Sequence, residues 1–395
     1  MKKIMIVGAS VLQLPAIKKA KSMGLEVAVV DFDPNAIGIA IADKYYNAST
    51  MDEDAVVAAA EHYCPDGIMT LATDMPMRGV AKASEKLQLH SISYKTAFRA
   101  TDKYEMIKAF KAAGVSSPWY FMIHRKEDLF SIESKLTYPC IMKPTDNAGS
   151  HGVVKVESFS ELLSNYEYSF RNSRHGGVII EEYLSGEEVS VEVMVVKGKV
   201  HILQITDKIT TGAPYFVEMG HTQPSHQNSA TQSEIKLLAE RAIKSLGICN
   251  GPCHVEMMVT SRGPVMIELG ARMGGDNITT YLVPLSTGID MTECTIKTAL
   301  GEEPNLLPTL DKGSAIRYLS APTGTIARIT GVEAARNMPG VQEVILTKDI
   351  GDKSTEITCS NDRIGFVIAQ ADNADNEAAI CENAIKRINI EIVND

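Results

Sequence analysis

Two glutamates in the segment 254–277 have the spacing of a metal-binding carboxylate pair. Apolar residues alternate with the others, which predicts two strands joined by a tight turn at 261–263. If the turn centres on Arg262, Glu256 lies directly opposite Glu268. Two carboxylates that face each other across a hairpin repel, and a divalent cation between them would remove the repulsion. The same spacing also fits two solvated glutamates on an exposed face.

The predicted hairpin has an apolar face and a second, mixed face. The apolar face contains Val255, Met257, Val259, Val265, Ile267 and Leu269, and the second contains His254, Glu256, Met258, Met266, Glu268 and Gly270. Arg272 and the polar run 273–277 follow the second strand. We therefore expect a fixed cation and a flexible loop just beyond Glu268.

Two lysines occupy positions from which they can reach an anion. Lys103 lies in the first turn of a helix that Asp102 can cap, although a solvated lysine fits this position equally. Lys143 ends a short strand and precedes a loop, 145–152, of small and polar residues. The backbone N–H groups of such a loop can close over phosphates beside a lysine, and a plain hairpin loop remains the alternative.

An acidic segment at 178–193 reads as a strand, a turn with glycine and a second strand. Such a segment can present backbone groups to a planar ring and carboxylates to sugar hydroxyls. A solvated acidic turn is the alternative. The stretch 222–233, rich in Ser, Gln, Asn and Thr, is predicted to be a loop before a helix at 234–246.

The N-terminal residues predict an α/β domain. The order strand, turn, helix, strand and acid over 3–33 resembles a dinucleotide-binding unit, but Gly8 is the only glycine of the fingerprint in place, which disfavours a nicotinamide site. Thr73 and Asp74 follow a further strand and are candidate substrate contacts, because ligands of open α/β sheets bind at the carboxyl ends of strands.

Composition excludes several classes of function. The 395 residues suffice for two or three domains, and the net charge of −10 disfavours non-specific nucleic-acid binding. No apolar run reaches membrane-spanning length, and the N-terminus leads directly into a strand, so we expect neither a membrane segment nor a signal peptide. The seven scattered cysteines suit a reducing cytoplasm. Cys249, Cys253 and His254 lack a second metal-binding pair, which disfavours zinc.

Taken in order, these motifs resemble the ATP-grasp superfamily over essentially the full length of the chain. The chain looks most like the carboxylate–amine ligases of the bacterial L-amino acid ligase type, through PYFVEMGHTQPS at 214–225, GPCHVEMM at 251–258 and the length of the C-terminal region. The resemblance implies a fold that combines α/β and α+β domains. The implied domains are an N-terminal α/β (pre-ATP-grasp) domain at 1–98, an ATP-grasp small lobe with a mobile loop at 99–188, a large lobe with the metal and substrate site at 189–308, and a small α+β domain at 309–395.

The resemblance also implies roles for particular residues. The implied ATP contacts are Lys103 and Lys143 at the phosphates, Ser150 and His151 in the closing loop, Glu181, Glu182, Tyr183 and Leu184 at adenine, and Glu188 at ribose. Glu256 and Glu268 would hold Mg²⁺ or Mn²⁺, while Arg272 would bind the carboxylate or acyl phosphate and act in catalysis with Lys143. The implied substrate contacts are Glu218, His221, His254, Gly274 and Asn277. Many relatives place Asn where this chain has Gly270, so the number of metal ions stays open, with Asn277 or a water as substitutes.

The implied activity is the ATP-dependent joining of a carboxylate and an amine through an acyl phosphate, with release of ADP and phosphate. Alternatives are a purine-pathway or biotin-carboxylase type of ATP-grasp enzyme, a nucleotide-binding regulator without turnover, and a nicotinamide dehydrogenase. The resemblance implies small-molecule substrates, amino acids among them, in a cytoplasmic enzyme without nucleic-acid or membrane partners. Related enzymes are often homodimers.

Overall fold

The computed structural model describes residues 1–147, 151–174, 176–372 and 376–393. The N-terminal residues form a parallel sheet covered by helices. Its elements and the helices that follow are β1 (Lys3–Val7), α1 (Leu14–Ser22), β2 (Glu26–Asp31), β3 (Lys44–Asn47), α2 (Glu53–Tyr63), β4 (Gly67–Met69), α3 (Pro76–Leu87) and α4 (Tyr94–Thr101). The strand order is β3-β2-β1-β4. β1 and β2 are almost entirely buried because they are apolar on both faces, and their carboxyl ends open towards the rest of the chain.

The next residues form a small antiparallel sheet with its own core. The elements are α5 (Lys103–Ala112), β5 (Tyr120–Ile123), α6 (Asp128–Ile132), β6 (Cys140–Pro144), β7 (Val154–Val156), α7 (Phe159–Arg171) and β8 (Val178–Glu182). The strand order is β5-β8-β6-β7, and α6 and α7 pack on one face of the sheet. The carboxylate of Asp102 caps α5 by accepting from Glu105 N at 2.9 Å, as predicted.

The third group of elements carries the predicted carboxylate hairpin. The elements are β9 (Glu187–Val196), β10 (Lys199–Thr210), β11 (Glu218–Gln223), α8 (Ser229–Leu246), β12 (Gly251–Thr260), β13 (Gly263–Gly270), a π-helical turn (Ile278–Leu282), α9 (Val283–Thr287), α10 (Met291–Ala299) and β14 (Gly313–Leu319). α8 covers one face of the sheet with Ile235, Ala239 and Ile243, which are fully buried.

The C-terminal residues extend the same sheet. Their elements are β15 (Gly324–Thr330), α11 (Val332–Arg336), β16 (Val341–Leu346), β17 (Lys353–Ser354), β18 (Gly365–Ala371), α12 (Glu377–Ile385) and β19 (Asn389–Val393). A single eight-stranded antiparallel sheet runs in the order β13-β12-β9-β10-β11-β14-β18-β16, and a three-stranded sheet β17-β15-β19 lies beside it. The pairing of β11 with β14 joins the C-terminal strands to the sheet that also contains the two strands of the hairpin.

The two strands of the acidic segment 178–193 belong to two different sheets. β8 pairs with β5 and β6, whereas β9 pairs with β10 and β12. Residues 183–186 therefore cross from one sheet to the other, and a cleft opens between the two. Gly186 is required at this crossing, because a Cβ there would collide with the carbonyl oxygen of Val259.

The predicted loop at 222–233 is wrong at both ends. β11 continues to Gln223 and α8 begins at Ser229, where the side chain of Asn228 accepts from Thr231 N at 3.0 Å. The polar residues of this stretch fill the exposed first turns of a capped helix, which composition alone does not separate from a loop. None of the described helices is both long enough and apolar enough to cross a membrane.

Candidate active site

The two glutamates predicted to oppose each other do so. Glu256 on β12 is the direct partner of Glu268 on β13, and the strands are joined by a two-residue turn between Thr260 and Gly263. Both carboxylates are only partly exposed. Their repulsion is reduced by separate cations, Lys103 beside Glu268 and Lys208 beside Glu256.

The predicted faces of the second strand are corrected at three residues, Val265, Met266 and Ile267, since Val265 pairs with Met258. The register shifts beside Glu256, so that Met257 pairs with Met266 and leaves Ile267 as the extra residue of a bulge. Met266 is consequently buried in the core with Met257, and Ile267 faces the cleft. A bulge reverses the alternation locally, and hydrophobic alternation in the sequence does not reveal it.

A cavity of about 540 Å³ lies in the cleft between the two sheets; we call it the cleft cavity. It collects every residue assigned to ATP or metal except Ser150, which lies outside the described residues. The residues brought together are Lys103, Lys143, His151, Glu181, Glu182, Tyr183, Leu184, Glu188, Glu256, Glu268 and Arg272. Both sheets and the crossing segment therefore contribute to one polar cavity.

The lysines of the cleft cavity are held by carboxylates. Lys103 Nζ lies 2.7 Å from Glu268 Oε1, and the pKa of Lys103 is raised because Glu268 outweighs the opposing effect of burial. Lys143 Nζ lies 2.6 Å from Glu181 Oε2, and both side chains are buried. The two cations thus have fixed positions on the wall of the cleft cavity.

Lys208 is a functional candidate that sequence reasoning missed. Its side chain is 2% exposed on β10, and its Nζ lies 2.6 Å from Glu188 Oε1 and 3.0 Å from Glu256 Oε2, with Glu218 Oε1 at 3.6 Å. Burial lowers the pKa of Lys208, but these carboxylates raise it well above its usual value. The only signal in the sequence is a lysine in the interior of a strand, which does not reveal three partners distant along the chain.

His254 extends the charged network into the core. Its Nδ1 lies 2.9 Å from Oε1 of the fully buried Glu192, and its Nε2 lies 3.1 Å from Glu256 Oε1. Burial opposes protonation of His254, yet the two glutamates raise its pKa to about 9. His254 is therefore a cation near neutral pH that orients Glu256.

A second cavity of about 750 Å³ lies between the hairpin and the N-terminal domain; we call it the N-terminal cavity. Loops after β1, β2 and β4 form one side of it, and Thr73 and Asp74 lie there, where sequence reasoning placed substrate contacts. The two cavities share one wall, formed by Asp74, Lys208, Glu218, Glu256 and Arg272. A group transferred between the cavities would pass this charged wall.

Arg272 is bound by a carboxylate from the N-terminal domain. Its Nε and Nη2 donate to Asp74 Oδ1 and Oδ2 at 2.9 and 2.8 Å, the planar geometry that an arginine fork favours. Gly270 is required beside this pair, since a Cβ there would lie 2.6 Å from Asp74 Oδ1 and 3.0 Å from Arg272 Cζ. The space at position 270 is therefore taken by the ion pair.

The remaining predicted substrate residues divide into two groups. Glu218, His221 and His254 line the N-terminal cavity. Gly274 instead packs against His254, and Asn277 begins the π-helical turn in a left-handed conformation with φ of 63°. Neither lies among the described residues that line that cavity, so the structure does not bring these two to the site.

His221 is a buried histidine whose ring nitrogens make no hydrogen bond within the described residues. Its Nε2 lies 3.5 Å from Asp276 Oδ2, and both side chains line the N-terminal cavity. This distance is within the range of an ion pair, so Asp276 is the carboxylate that faces His221.

The carboxylate pair fits Mg²⁺ bound together with a nucleotide. Carboxylate oxygens are the donors that Mg²⁺ prefers, and it usually takes its other ligands from phosphates and water. Within the described residues, no group of three or more His, Cys, Asp or Glu is arranged to hold a metal by itself. Glu256 and Glu268 supply two carboxylate donors on one wall of the cleft cavity.

Comparisons with known proteins agree with this architecture. The ATP-grasp domain matches residues 136–280, and the L-amino acid ligase C-terminal domain 2 matches residues 317–393. The chain is 28% identical over 288 residues to the uncharacterised protein y4rH of Sinorhizobium fredii, covering 71% of this chain and 59% of that protein. It is 26% identical over 273 residues to an L-arginine-specific L-amino acid ligase of Bacillus subtilis, covering 66% of this chain and 64% of that protein. The chain thus spans less than two thirds of the length of these curated relatives.

A solved structure shows the same fold over the whole chain. The crystal structure of an L-amino acid ligase from Bacillus licheniformis superposes with a TM-score of 0.85 at 23% identity, covering 100% of this chain and 99% of that one. The expected fold class, which combines α/β and α+β parts, is therefore confirmed. The chain contains an ATP-grasp domain followed by an L-amino acid ligase C-terminal domain.

Proposed function

We propose that this protein is an ATP-dependent carboxylate–amine ligase that forms an amide or peptide bond between small molecules, with an amino acid or small carboxylic acid as the acid. The observation that carries the proposal is the charged wall shared by the two cavities. A nucleotide in the cleft cavity and two small substrates in the N-terminal cavity would meet at this wall. The matched ligase C-terminal domain supports the same activity.

ATP would lie in the cleft cavity with its adenine against 181–184 and its ribose at Glu188. Its phosphates would lie between Lys103 and Lys143, whose carboxylate partners keep both cations in place before the nucleotide binds. Phosphoryl transfer asks a protein mainly for positioning and charge neutralisation. Mg²⁺ held by Glu256 and Glu268 supplies part of that neutralisation when it is bound.

In the first step, a carboxylate oxygen of the acid attacks the γ-phosphorus of ATP. The bond from that phosphorus to its bridging oxygen breaks, and ADP and an acyl phosphate result. Arg272 lies on the shared wall, where it can bind the transferred phosphoryl group or the acid while Asp74 holds the guanidinium in position.

In the second step, an amine attacks the acyl carbon and inorganic phosphate leaves, which gives an amide. The ammonium group of this substrate must lose a proton before its nitrogen can attack. Glu218 lies on the shared wall and His221 faces the same cavity, so these two residues are the candidates to hold the amine and accept its proton. Exclusion of water matters here, because water would hydrolyse the acyl phosphate.

The test is a screen of the twenty amino acids as acids with MgATP. Hydroxylamine added in place of an amine traps an acyl phosphate as a hydroxamate, and release of ADP is measured in parallel. We expect hydroxamate with at least one acid, and amine-dependent release of phosphate with the same acid. Release that depends on bicarbonate, or nucleotide binding without turnover, would contradict the ligase assignment.

Glu268→Gln tests the metal assignment within this scheme. We expect the variant to fold and to lose formation of ADP, while Glu240→Gln on the exposed face of α8 keeps it. Near-normal turnover by Glu268→Gln would refute the role of Glu268. We further propose that the enzyme acts in the cytoplasm. We also propose that it is a homodimer, and sedimentation of the purified chain can check this oligomeric state.

A further inference from the structure

A fully buried glutamate lies behind the hairpin that carries the carboxylate pair. Glu192 Oε1 accepts from Ser190 Oγ at 2.9 Å, and the two oxygens of Glu192 lie 2.9 and 3.0 Å from His254 Nδ1. A buried carboxylate costs free energy unless it is paired and hydrogen-bonded, so Glu192 and His254 hold each other in place. We call these two residues the buried pair.

The buried pair acts on one of the two carboxylates that would bind the metal. His254 Nε2 lies 3.1 Å from Glu256 Oε1, and Lys208 Nζ lies 3.0 Å from Glu256 Oε2. The two oxygens of Glu256 are therefore held by different groups, which fixes the plane of the carboxylate. An imidazole ring points its Nε2 in one direction only if its Nδ1 is also held, and Glu192 holds the Nδ1 of His254.

The loop that follows β13 packs against the same buried pair. A Cβ on Gly274 would lie 2.6 Å from His254 Nδ1 and 3.0 Å from Glu192 Oε2. The carbonyl oxygen of Gly274 accepts from Thr279 Oγ1 at 2.7 Å, which holds the backbone in this position. Asp276 of this loop lines the N-terminal cavity, where the proposed function places the acceptor amine. The buried pair thus contacts both the strand of the metal ligand and the loop of Asp276.

We propose that Glu192 is a positioning residue, which acts through His254 to align the Glu256 carboxylate for Mg²⁺ bound with the nucleotide. This inference rests on the proposed function and adds a residue that is fully buried and lines neither of the two cavities. Because Gly274 packs against the buried pair, a displacement that begins in the loop should also reach the metal ligand.

Binding of ADP measures this alignment without turnover. Isothermal titration calorimetry gives the Kd of ADP with excess Mg²⁺ and again with EDTA, and the ratio of the second Kd to the first reports the contribution of the metal. We expect a ratio well above one for the wild-type enzyme. The ratio is taken within one variant, and a Kd does not depend on the amount of folded protein, so partial loss of folded enzyme does not change it.

Two substitutions of Glu192 separate alignment from the filling of space. Glu192→Leu keeps a similar volume but removes both oxygens, and we expect the ratio to fall about tenfold or more. Glu192→Gln should retain most of the wild-type ratio. Its carbonyl oxygen can accept from His254 Nδ1 and its amide can donate to the same atom, so the hydrogen bond persists in either protonation state of the ring.

Gly274→Ala approaches the buried pair from the loop. The added Cβ would displace the ring of His254, so the ratio should fall although both members of the pair are chemically intact. Gly275→Ala is the matched control, because a Cβ there meets no described atom within 4 Å. We expect Gly275→Ala to keep the wild-type ratio.

The outcomes distinguish this inference from the proposed function. If Mg²⁺ does not strengthen binding of ADP to the wild-type enzyme, the metal assignment fails and the role of Glu192 fails with it. If Mg²⁺ does strengthen binding but Glu192→Leu and Gly274→Ala keep the wild-type ratio, the positioning role is overturned and the metal site stands. Equal ratios in Glu192→Gln and Glu192→Leu would also overturn it. Hydroxamate formation by the wild-type enzyme tests the ligase function separately.

Discussion

Arg363 and Asp276 form a bidentate ion pair that connects the C-terminal domain to the N-terminal cavity. The two N–H···O distances are 2.7 and 2.9 Å. Arg363 also stacks on the ring of Tyr318 at 3.7 Å and donates to the carbonyl oxygen of Glu218 at 3.0 Å. Asp276 has a φ of 50°, in the left-handed region that residues with a Cβ seldom adopt, and surrounding contacts hold it there.

Replacing Arg363 by lysine should impair substrate binding more than folding. Lysine keeps the charge but cannot form the planar fork, so Asp276 and the Glu218 backbone lose their fixed positions. We expect KM for the acceptor to rise about tenfold with a smaller change in kcat. Steady-state kinetics with varied acceptor measure both quantities.

The exposed Arg328 of β15 provides the matched control, since Arg328→Lys changes the same atoms away from the cavity.

The pKa of Asp276 provides a second test of the role of Arg363. Burial opposes its ionisation, but His221 and Arg363 hold the pKa well below its usual range. Arg363→Gln should therefore raise this pKa and move the acidic limb of the pH–rate profile upwards. An unchanged profile in a folded variant would contradict the positioning role.

Lys208→Met should damage both stability and activity. The substitution leaves Glu188, Glu218 and Glu256 without their shared cation. Loss of one member of a buried charge cluster typically costs about 3–5 kcal/mol. We expect a loss of this order in the free energy of unfolding by urea, together with a large fall in kcat. Lys199→Met, on the exposed start of the same strand, should change neither value, and near-normal kcat in Lys208→Met would remove Lys208 from the site.

Local patterns in the sequence predicted the features that depend on local contacts. The opposition of Glu256 and Glu268 follows from strand alternation and a short turn, and the helix that starts at Lys103 follows from the cap at Asp102. The described lysines and glutamates that the motifs singled out line one cavity, and their roles there stay predictions. These features need only a few neighbouring residues to be specified.

Long-range pairs were not predictable in the same way. Asp74 and Arg272 lie 198 positions apart, and nothing near either residue reveals the other. The partners of Lys208 likewise come from β9, β11 and β12, which meet only in the folded sheet. The bulge at Ile267 depends on hydrogen-bond register, which alternation of residue types does not encode.

His254 should make the free energy of unfolding decrease at alkaline pH, measured without added divalent cation. Its folded pKa is about 9, above the unfolded value of 6.5. The stabilisation is therefore fully present below about pH 6.5 and is lost as the pH rises through about 9. This difference between the folded and unfolded pKa values corresponds to a loss of free energy of unfolding on the order of 3 kcal/mol.

Urea unfolding at about pH 6 and about pH 9.5 measures this loss. His254→Gln should be less stable than the wild type at the lower pH and should approach it at the higher pH. His62→Gln, at the exposed end of α2, should follow the wild type at both. If the free energy of unfolding of His254→Gln differs from that of the wild type by the same amount at both pH values, His254 carries no such charge in the folded protein.

Gly270→Ala should disrupt the ion pair between Asp74 and Arg272 by contact alone. The added Cβ would lie 2.6 Å from Asp74 Oδ1, closer than real contacts allow, so the carboxylate must move. We expect a destabilisation of about 1–3 kcal/mol and a fall in kcat/KM.

Asp74→Ala removes the obstructing carboxylate, so Gly270→Ala should cost less in that background. Because the two residues share one contact, the double-mutant cycle should give a coupling energy above about 0.5 kcal/mol. Gly275→Ala, where a Cβ meets no atom within 4 Å, is the control for the loss of glycine itself. Additive effects in the cycle would show that the space at position 270 is not set by Asp74.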